Sequence, residues 1–309
     1  MSKAKKIILI VSVCIIAVAL VLVAVFMPDT EKIYDELSEK AKPAQVADFE
    51  EKAEGTIRIM TFNVRCFGLE NLPRKAREYY VAETVRKGMP DSFGVQEATP
   101  TWMKYLEKEL GDKYDYVGVG RSNGKNSGEY SAVFYLKDKY ELVNSDTFWL
   151  SETPEKPSKG WDANIKRICT WAILENKESG EKFVHLNAHF DHQAEEARKN
   201  SVDMILEKAK QHNDLPVVFT ADMNIVEGTE LYERMVADGT LKDTKYIAED
   251  TMDYLTFHNL NPSENEGRIL DYVMINDKFD AEVYKVVTAG VDGRFVSDHY
   301  PVYADIVIM

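Results

Sequence analysis

Apolar and polar positions follow two different periods along most of the chain, and the pattern begins at Thr56. Short runs rich in β-branched and aromatic residues alternate with longer segments whose apolar residues recur at helical spacing. The alternation predicts a layered α/β domain, and the strand-rich middle favours two sheets packed face to face. The predicted strands are Ile57–Val64, Ser92–Gln96, Tyr114–Val119, Tyr130–Tyr135, Tyr140–Phe148, Ile168–Leu174, Phe183–Ala188, a run starting at Pro216, Ile269–Ile275, Glu282–Val287 and Val302–Ile308. The predicted helices are Arg74–Lys87, Thr101–Leu110, Gln193–Gln211 and Thr229–Ala237.

The N-terminal segment has a different pattern. Residues 7–27 are apolar except for Ser12 and carry no charge, and three lysines precede them. A helix of this length spans roughly 31 Å, about the thickness of a bilayer core. The lysines predict a cytoplasmic tail at residues 1–6, with the remainder exported. A cleaved signal peptide, which would give a secreted protein, is the alternative. The long apolar run and the lack of a small-x-small cleavage site favour an uncleaved transmembrane signal anchor.

Charge distinguishes the next segment from the domain that follows. Residues 28–54 are acidic and poor in large apolar residues, which predicts a stalk, partly helical around Ile33–Ala41, ahead of a domain at residues 55–309. The whole chain carries −14, and the first 28 residues contribute three lysines and no acids, so the rest carries −17. Such a charge is poorly suited to gripping long nucleic acid through its phosphates. A nuclease whose acidic site works through bound cations is still compatible with it.

Polar residues recur where the predicted strands end. Asp222 and Asn224 follow a buried strand two residues apart, so both side chains point to the same face. A buried acid must be paired, hydrogen-bonded or metal-bound, because an isolated buried carboxylate is very costly. Six such placements require a common explanation. They are Asn63, Gln96-Glu97, Asn187-Ala188-His189, Asp222-Met223-Asn224, Asp271 and Ser297-Asp298-His299.

These six motifs, in this order, resemble those of the endonuclease/exonuclease/phosphatase superfamily, which has the DNase-like fold. The match extends from about Thr56 to the C-terminus. Phe148–Pro154, Gly160–Ala163 and Arg167–Trp171 look like a bacterial branch that is usually grouped with deadenylase-like exonucleases. The resemblance implies a four-layer α/β sandwich, in which two packed, mostly antiparallel β-sheets are flanked by helices. The N-terminal transmembrane helix would precede it.

The resemblance implies a metal site at Asn63, Glu97 and Asp298. Their oxygen atoms suit Mg²⁺ (or Mn²⁺), which prefers hard oxygen donors. A bound ion of this kind polarises a phosphoryl oxygen and stabilises the leaving oxygen.

The resemblance also implies the catalytic residues. Asp271 would orient His299, which acts as a general base or holds the phosphate as an imidazolium. Asp222 would position and deprotonate the attacking water, and Asn224 would donate to the charge that develops on phosphorus. His189 would contact the phosphate from the other side.

Three further residues are candidates for substrate binding. Asn187 accompanies His189 in its motif. Arg167 precedes a core strand and is suited either to clamp a phosphate or to pair with a neighbouring acid. His258 is either a substrate contact or a structural histidine. Cys66 and Cys169 form one disulfide or remain two buried free thiols.

We therefore expect a divalent-metal-dependent phosphodiesterase, nuclease-like and exonuclease-like, at the bacterial cell surface. Its catalytic domain would be monomeric and extracytoplasmic, with the membrane contacted through the N-terminal anchor. A sphingomyelinase-like enzyme acting on phospholipid head groups, or a small-molecule phosphatase, is the alternative. A non-catalytic binding module on the same scaffold is a remote alternative.

Overall fold

The computed structural model describes residues 30–40, 42–68, 72–259 and 267–309. Its strands are β1 (Ile57–Asn63), β2 (Ser92–Gln96), β3 (Tyr114–Val117), β4 (Val133–Leu136), β5 (Tyr140–Trp149), β6 (Ile168–Asn176), β7 (Lys182–His189), β8 (Val217–Asp222), β9 (Lys242–Asp243), β10 (Asp250–Thr251), β11 (Asp271–Ile275), β12 (Phe279–Val286) and β13 (Val302–Ile308). Its helices are α1 (Thr30–Lys40), α2 (Arg74–Gly88), α3 (Pro100–Leu110), α4 (Glu195–Gln211), α5 (Glu230–Val236) and α6 (Thr244–Ile247).

The strands form two mixed sheets. The first has the order β10-β12-β13-β1-β2-β4-β3, and the second has the order β5-β6-β7-β8-β11-β9. Three pairs are parallel, namely β1 with β2, β7 with β8, and β10 with β12. The other strand pairs are antiparallel. The predicted pair of sheets flanked by helices is therefore confirmed.

Alternating residues on the central strands separate the apolar core into layers. In β1, Ile57 and Ile59 join the cluster between the two sheets, whereas Met60 and Phe62 pack with helices α2 and α3. This is the period-two pattern of a strand covered on both faces. On the second sheet, residues such as Phe219 pack against α4 and α5. The layers are thus helices, sheet, sheet and helices.

A line of buried polar side chains links the two sheets. Ser92 Oγ lies 2.7 Å from His185 Nδ1, and His185 Nε2 lies 2.8 Å from Thr220 Oγ1. Asn187 Oδ1 accepts hydrogen bonds from Thr220 Oγ1 at 3.1 Å and Gln96 Nε2 at 2.7 Å. Burial lowers the pKa of His185 to about 3, so its ring is neutral and can accept one of its two bonds. These bonds position β2 against β7 and β8.

The close approach of the sheets requires a glycine at position 94. A Cβ at Gly94 would lie 2.3 Å from both Asn187 Oδ1 and Thr220 Oγ1. Those atoms belong to the bonded network just described, so they cannot move aside freely.

The acidic segment predicted as a stalk packs against the domain over its described part. Tyr34 and Leu37 of α1 are buried in a small cluster with Leu72, and Tyr34 Oη donates to Ala76 O at 3.0 Å. Its apolar side chains are few, but they suffice to dock the helix. The adjoining residues also contact the domain, since Ala47 N donates to Thr288 Oγ1 at 2.8 Å.

The predicted membrane anchor, residues 7–27, lies outside the described residues. Among the helices that are described, none combines the length and apolar character needed to cross a bilayer.

We expect Gly94→Ala to lower the free energy of unfolding by about 1–3 kcal/mol, because the added methyl group overpacks the contact between the sheets. Denaturant unfolding measures this change. Gly267→Ala is the control, because the Cβ there meets the flexible side chain of Leu255. Equal loss in the two variants would contradict the role of Gly94.

Candidate active site

Strand pairing brings five of the predicted polar residues to one edge of the sandwich. In the first sheet, Asn63 pairs with Gln96 at the ends of the parallel strands β1 and β2. In the second sheet, Asp222 pairs with His189 on one side and with Asp271, at the start of antiparallel β11, on the other. The register therefore gathers members of five of the six polar motifs, two in the first sheet and three in the second.

Asn63 connects the two sheets within the site. Its Nδ2 donates to Asp222 Oδ2 at 2.8 Å and to Glu97 Oε1 at 3.2 Å. The other carboxylate oxygen of Glu97 accepts from the backbone N–H of Cys66 at 2.9 Å. Burial acts to raise the pKa of Glu97, but the hydrogen bonds with Cys66 and the charge of His299 together outweigh it, and the pKa is lowered. Glu97 is therefore an ionised carboxylate facing Asn63.

Asp271, His299 and Asp222 form a hydrogen-bonded and ionic group. His299 Nδ1 lies 2.8 Å from Asp271 Oδ2, which also accepts from Thr256 Oγ1 at 2.7 Å. His299 Nε2 lies 3.8 Å from Asp222 Oδ2. Burial acts to lower the pKa of His299, but the two carboxylates raise it above the ordinary value. The pKa of Asp222 is raised, chiefly by burial. His299 is therefore an imidazolium held between two acids.

His189 and Asn224 complete the surroundings of Asp222. His189 Nε2 lies 3.4 Å from Asp222 Oδ2, and burial together with Arg167 keeps the pKa of His189 low, so its ring is neutral. Asn224 N donates to Asp222 Oδ1 at 3.0 Å, and its carboxamide donates to Phe190 O at 3.2 Å. Asp222 thus has one neutral and one charged histidine beside it.

Asp298 forms an ion pair with Arg65. Burial acts to raise the pKa of Asp298, but His299 and Arg65 lower it, so the carboxylate is ionised. The neighbouring Ser297 Oγ donates to Asn63 O at 2.6 Å, which ties this segment to the end of β1.

Arg167 pairs with a neighbouring acid, which is one of the two roles predicted for it from the sequence. Its Nε lies 3.8 Å from Asp191 Oδ2, and its Nη2 lies 3.2 Å from His192 Nδ1. The side chain is 5% exposed, yet Nε and Nη1 have no hydrogen-bond partner among the described residues. Arg167 therefore pairs with an acid, and its role as a phosphate clamp stays a prediction.

Asn187 is not placed for the predicted substrate contact. Its Nδ2 donates to Val95 O at 3.0 Å and Ala132 O at 2.9 Å, and its Oδ1 is the acceptor shared by Thr220 and Gln96. All its polar atoms are used within the core, because the face of β7 that carries it lies against the other sheet. Its role is to join the sheets.

His258 also has a packing role in place of the predicted substrate contact. Its ring lies 4.3 Å from that of Tyr300 and 5.3 Å from that of Phe295, measured between centroids. The side chain is 2% exposed, and burial lowers its pKa to about 3. His258 is therefore a neutral structural histidine.

Cys66 and Cys169, the cysteines of the described part of the chain, are free thiols. Cys169 is fully buried, whereas Cys66 is partly exposed beside Glu97. Burial raises the pKa of both thiols, so both are protonated.

The donor set fits a divalent cation. Ligand atoms of Asp222, Asp271 and His299 all lie within 4.8 Å of one another, and Asp271 Oδ1 is buried without a hydrogen-bond partner among the described residues. Together with Glu97 and Asp298, the site concentrates four carboxylates, and such burial requires positive charge. Arg65 and His299 supply part of it. The predicted ligands Asn63, Glu97 and Asp298 remain a second way to hold the ion.

Two residues of the site were not predicted. Thr256 fixes Asp271 through its hydroxyl group, which also accepts from Asp271 N at 3.0 Å. The sequence predicts His258 as the residue of this segment that contacts the substrate, whereas Thr256, two residues earlier, contacts the site through Asp271. Arg77, buried in α2, donates to main-chain carbonyls beside the site. No sequence pattern distinguishes it from the other arginines of that helix.

A layered sandwich with acids and histidines gathered at its strand ends defines a class of phosphoester hydrolases. The sequence profile of the Endonuclease/Exonuclease/phosphatase family matches residues 60–299, and the chain belongs to that family. Members of the family are phosphoester hydrolases that generally depend on a divalent metal ion.

Three solved structures illustrate the similarity. A family member from Bacteroides thetaiotaomicron is 32% identical, with a TM-score of 0.77 over 84% of this chain and 99% of that one. A mannosyl-6-phosphatase from the same organism is 33% identical, with a TM-score of 0.76 over 82% of this chain and 100% of that one. The human Nocturnin catalytic domain with bound sulfate is 19% identical, with a TM-score of 0.67 over 84% and 97% of the two chains, and so shares the fold.

We expect His299→Gln to lower kcat by roughly 10²–10⁴-fold, because the variant cannot carry the charge that His299 shares with Asp222 and Asp271. Steady-state kinetics on any phosphoester that the wild type hydrolyses measures the loss. His212→Gln is the matched control, since His212 caps the far end of α4. Unchanged kcat in His299→Gln would contradict the assignment of the site.

Proposed function

We propose that the protein is a Mg²⁺- or Mn²⁺-dependent phosphatase of small phosphomonoesters, with sugar phosphates as the substrate class. The observation that supports it best is the buried contact of Asp222 with a neutral His189 and a charged His299, beside Glu97. Asp222 is thus a proton acceptor with two hydrogen-bond donors, His189 and His299, beside it. Hydrolysis of a phosphoester requires such a base together with donors that stabilise charge.

Each residue has a role that follows from its protonation state. Asp222 holds the attacking water and accepts its proton, and its raised pKa suits it to act as a base near neutral pH. His299 is already protonated, so it binds a phosphoryl oxygen as an imidazolium and does not act as the base. As the new O–P bond forms, the ester P–O bond breaks and the alcohol oxygen takes a proton from solvent.

The remaining donors stabilise the negative charge on the phosphoryl oxygens. Arg167 offers two buried N–H groups that have no hydrogen-bond partner among the described residues. The backbone N–H of Asn224 donates to Asp222 Oδ1 and so fixes this residue beside the base. When bound, the cation would act as a Lewis acid on a phosphoryl oxygen and on the leaving oxygen. Because Asp222 accepts the proton of the water and Asp271 binds His299, the acids Glu97 and Asp298 would hold the cation.

Charge supports a small substrate. The chain carries −14, and three arginines near the site pair with acids: Arg65 with Asp298, Arg121 with Glu129, and Arg167 with Asp191. Such pairs leave little net positive charge for following the backbone of a long nucleic acid. A monosaccharide phosphate needs no such extended positive surface. The similar mannosyl-6-phosphatase acts on a sugar phosphate.

The nuclease-like phosphodiesterase and the phospholipid phosphodiesterase expected from the sequence remain predictions. They share the chemistry of the site and differ in the group attached to phosphorus. A binding module without activity is disfavoured, because binding alone has no use for a base and charge-stabilising donors together.

We also propose, from the sequence alone, that the domain acts outside the cytoplasm as a monomer tethered by residues 7–27. Recovery of the protein in culture medium, beginning after residue 27, would contradict the tether.

We expect chelation with EDTA to abolish hydrolysis and added Mg²⁺ or Mn²⁺ to restore it. Glu97→Gln should raise the metal concentration for half-maximal activity by about tenfold or more, because it removes a charged oxygen near the ion. Titration of activity with each metal tests this. Glu107→Gln, on an exposed face of α3, is the control. Full activity in EDTA would contradict metal dependence.

We expect kcat/KM for hexose 6-phosphates to exceed that for single-stranded RNA, single-stranded DNA, sphingomyelin and a generic phosphodiester by at least about 10²-fold, because the site can meet a compact dianion with His299 and Arg167. The full chain is assayed with each substrate at saturating Mg²⁺ and Mn²⁺. Faster hydrolysis of a polynucleotide would favour the nuclease, and faster hydrolysis of sphingomyelin would favour the lipid enzyme.

A further inference from the structure

Arg77 of α2 is fully buried and has no part in the reaction described above. Its guanidinium donates to backbone carbonyls. Nη1 donates to Val64 O at 2.9 Å and also to Val296 O. Nη2 donates to Arg65 O at 2.8 Å and to Phe67 O at 2.5 Å. One planar group therefore joins two segments that are far apart in the sequence.

Both segments carry residues of the site. The first, residues 64–67, follows Asn63 and contains the Cys66 N–H that binds Glu97. The second ends at Val296, immediately before Ser297-Asp298-His299. Residues in or beside these segments are joined by the bond from Ser297 Oγ to Asn63 O and by the ion pair of Arg65 with Asp298. The guanidinium of Arg77 adds three bonds to the first segment and one to the second.

Burial of this arginine is costly. A buried guanidinium is ordinarily paired with a carboxylate, because dipoles compensate its charge less well than an anion does. No hydrogen bond of Arg77 among the described residues reaches an acid, and burial lowers its pKa to about 10. A residue so placed is not explained by stability alone.

The surroundings hold the guanidinium in one orientation. The Trp102 ring lies 5.3 Å from Arg77 Cζ, and Trp102 Nε1 donates to Arg65 O at 3.1 Å. Arg65 itself has a φ of 51°, a left-handed conformation that a side chain adopts at a cost. Two donors on its carbonyl therefore stabilise a strained turn that directs Arg65 toward Asp298.

We propose that Arg77 is a positioning residue for the hydrolysis. It fixes the segment after β1 against the segment before His299, so that Glu97 and Asp298 face the same point. The kinetic part of this proposal depends on the proposed phosphoester hydrolysis, whereas the structural part does not. Lysine cannot replace it, because an ammonium group lacks the planar fork that reaches four carbonyls.

The test compares Arg77→Lys with Arg58→Lys in the full chain. Arg58 is also buried, but it pairs with Asp305 through two bonds of 2.7 Å away from the site. Hydrogen exchange measured by mass spectrometry needs no substrate. We expect Arg77→Lys to speed exchange of residues 64–67 and 296–299 by about tenfold or more, whereas Arg58→Lys leaves these segments unchanged.

The kinetic readout is the ratio of kcat between the variants. A misplacement of about 1 Å costs roughly 10²-fold, so we expect kcat of Arg77→Lys to fall by about 10–100-fold, with KM changed less. Arg58→Lys should keep the kcat of the wild type even if its Tm falls as much as that of Arg77→Lys. Guanidinium at millimolar concentration should partly restore kcat to Arg77→Ala.

Unchanged exchange and kcat in Arg77→Lys would overturn the proposal, and so would equal losses in the Arg58 variant. If Arg77→Lys does not fold, Trp102→Phe provides the second comparison. It removes one bond to Arg65 O, and the proposal then requires a smaller increase of exchange in the same segments. If the wild type hydrolyses no phosphoester, the proposed function fails, but the exchange experiment still decides the role of Arg77.

Discussion

Burial of several carboxylates at one edge of the sandwich is the constraint on which the site depends. Asp222, Asp271 and Asp298 are each at most 5% exposed, and a buried charge must be compensated. His299 serves the first two, and Arg65 serves the third. Because these compensating groups come from distant parts of the chain, the site forms only when both sheets have packed.

The packing of the sheets has a polar component for the same reason. Directly behind the site, Asn187, Thr220 and Gln96 replace apolar contacts between the sheets with hydrogen bonds. Such bonds are directional, so they set the distance and the register of β2 against β7 and β8. Apolar contacts in the cluster between the sheets, which includes Ile59 and Val273, contribute area without that directional restraint.

The sequence predicted the elements with strong periodicity and the residues that the strands carry to the site. β2 and β13 begin and end as predicted: β2 is a short run between Asp91 and Glu97, and β13 is a largely apolar run that begins after Pro301. The residues Lys242–Thr251, which form β9, α6 and β10, were not predicted, since two-residue strands carry no periodic signal.

Side-chain roles were harder to predict than positions. Asn187 lies two residues before His189 on β7 and shares its face, but it is deeper between the sheets, where Gln96 and Thr220 bind its carboxamide oxygen. Periodicity predicts the face of a side chain and not its distance from the edge of the sheet. His258 packs among aromatic rings that come from later in the chain. The role of Thr256 depends on its hydrogen bond to Asp271, which lies in another segment of the chain. No sequence pattern predicts that contact.

Three residues of the site have left-handed backbone conformations, namely Arg65, Glu97 and Asn224, with φ of 51°, 59° and 48°. Each such conformation costs free energy that glycine would not incur. The site is thus held in a conformation that the local sequence resists, and the rest of the fold supplies the restraint. A glycine at position 97 would relax the backbone and remove the carboxylate in one step. Selection for greater thermal stability alone would therefore act against the residues of the active site.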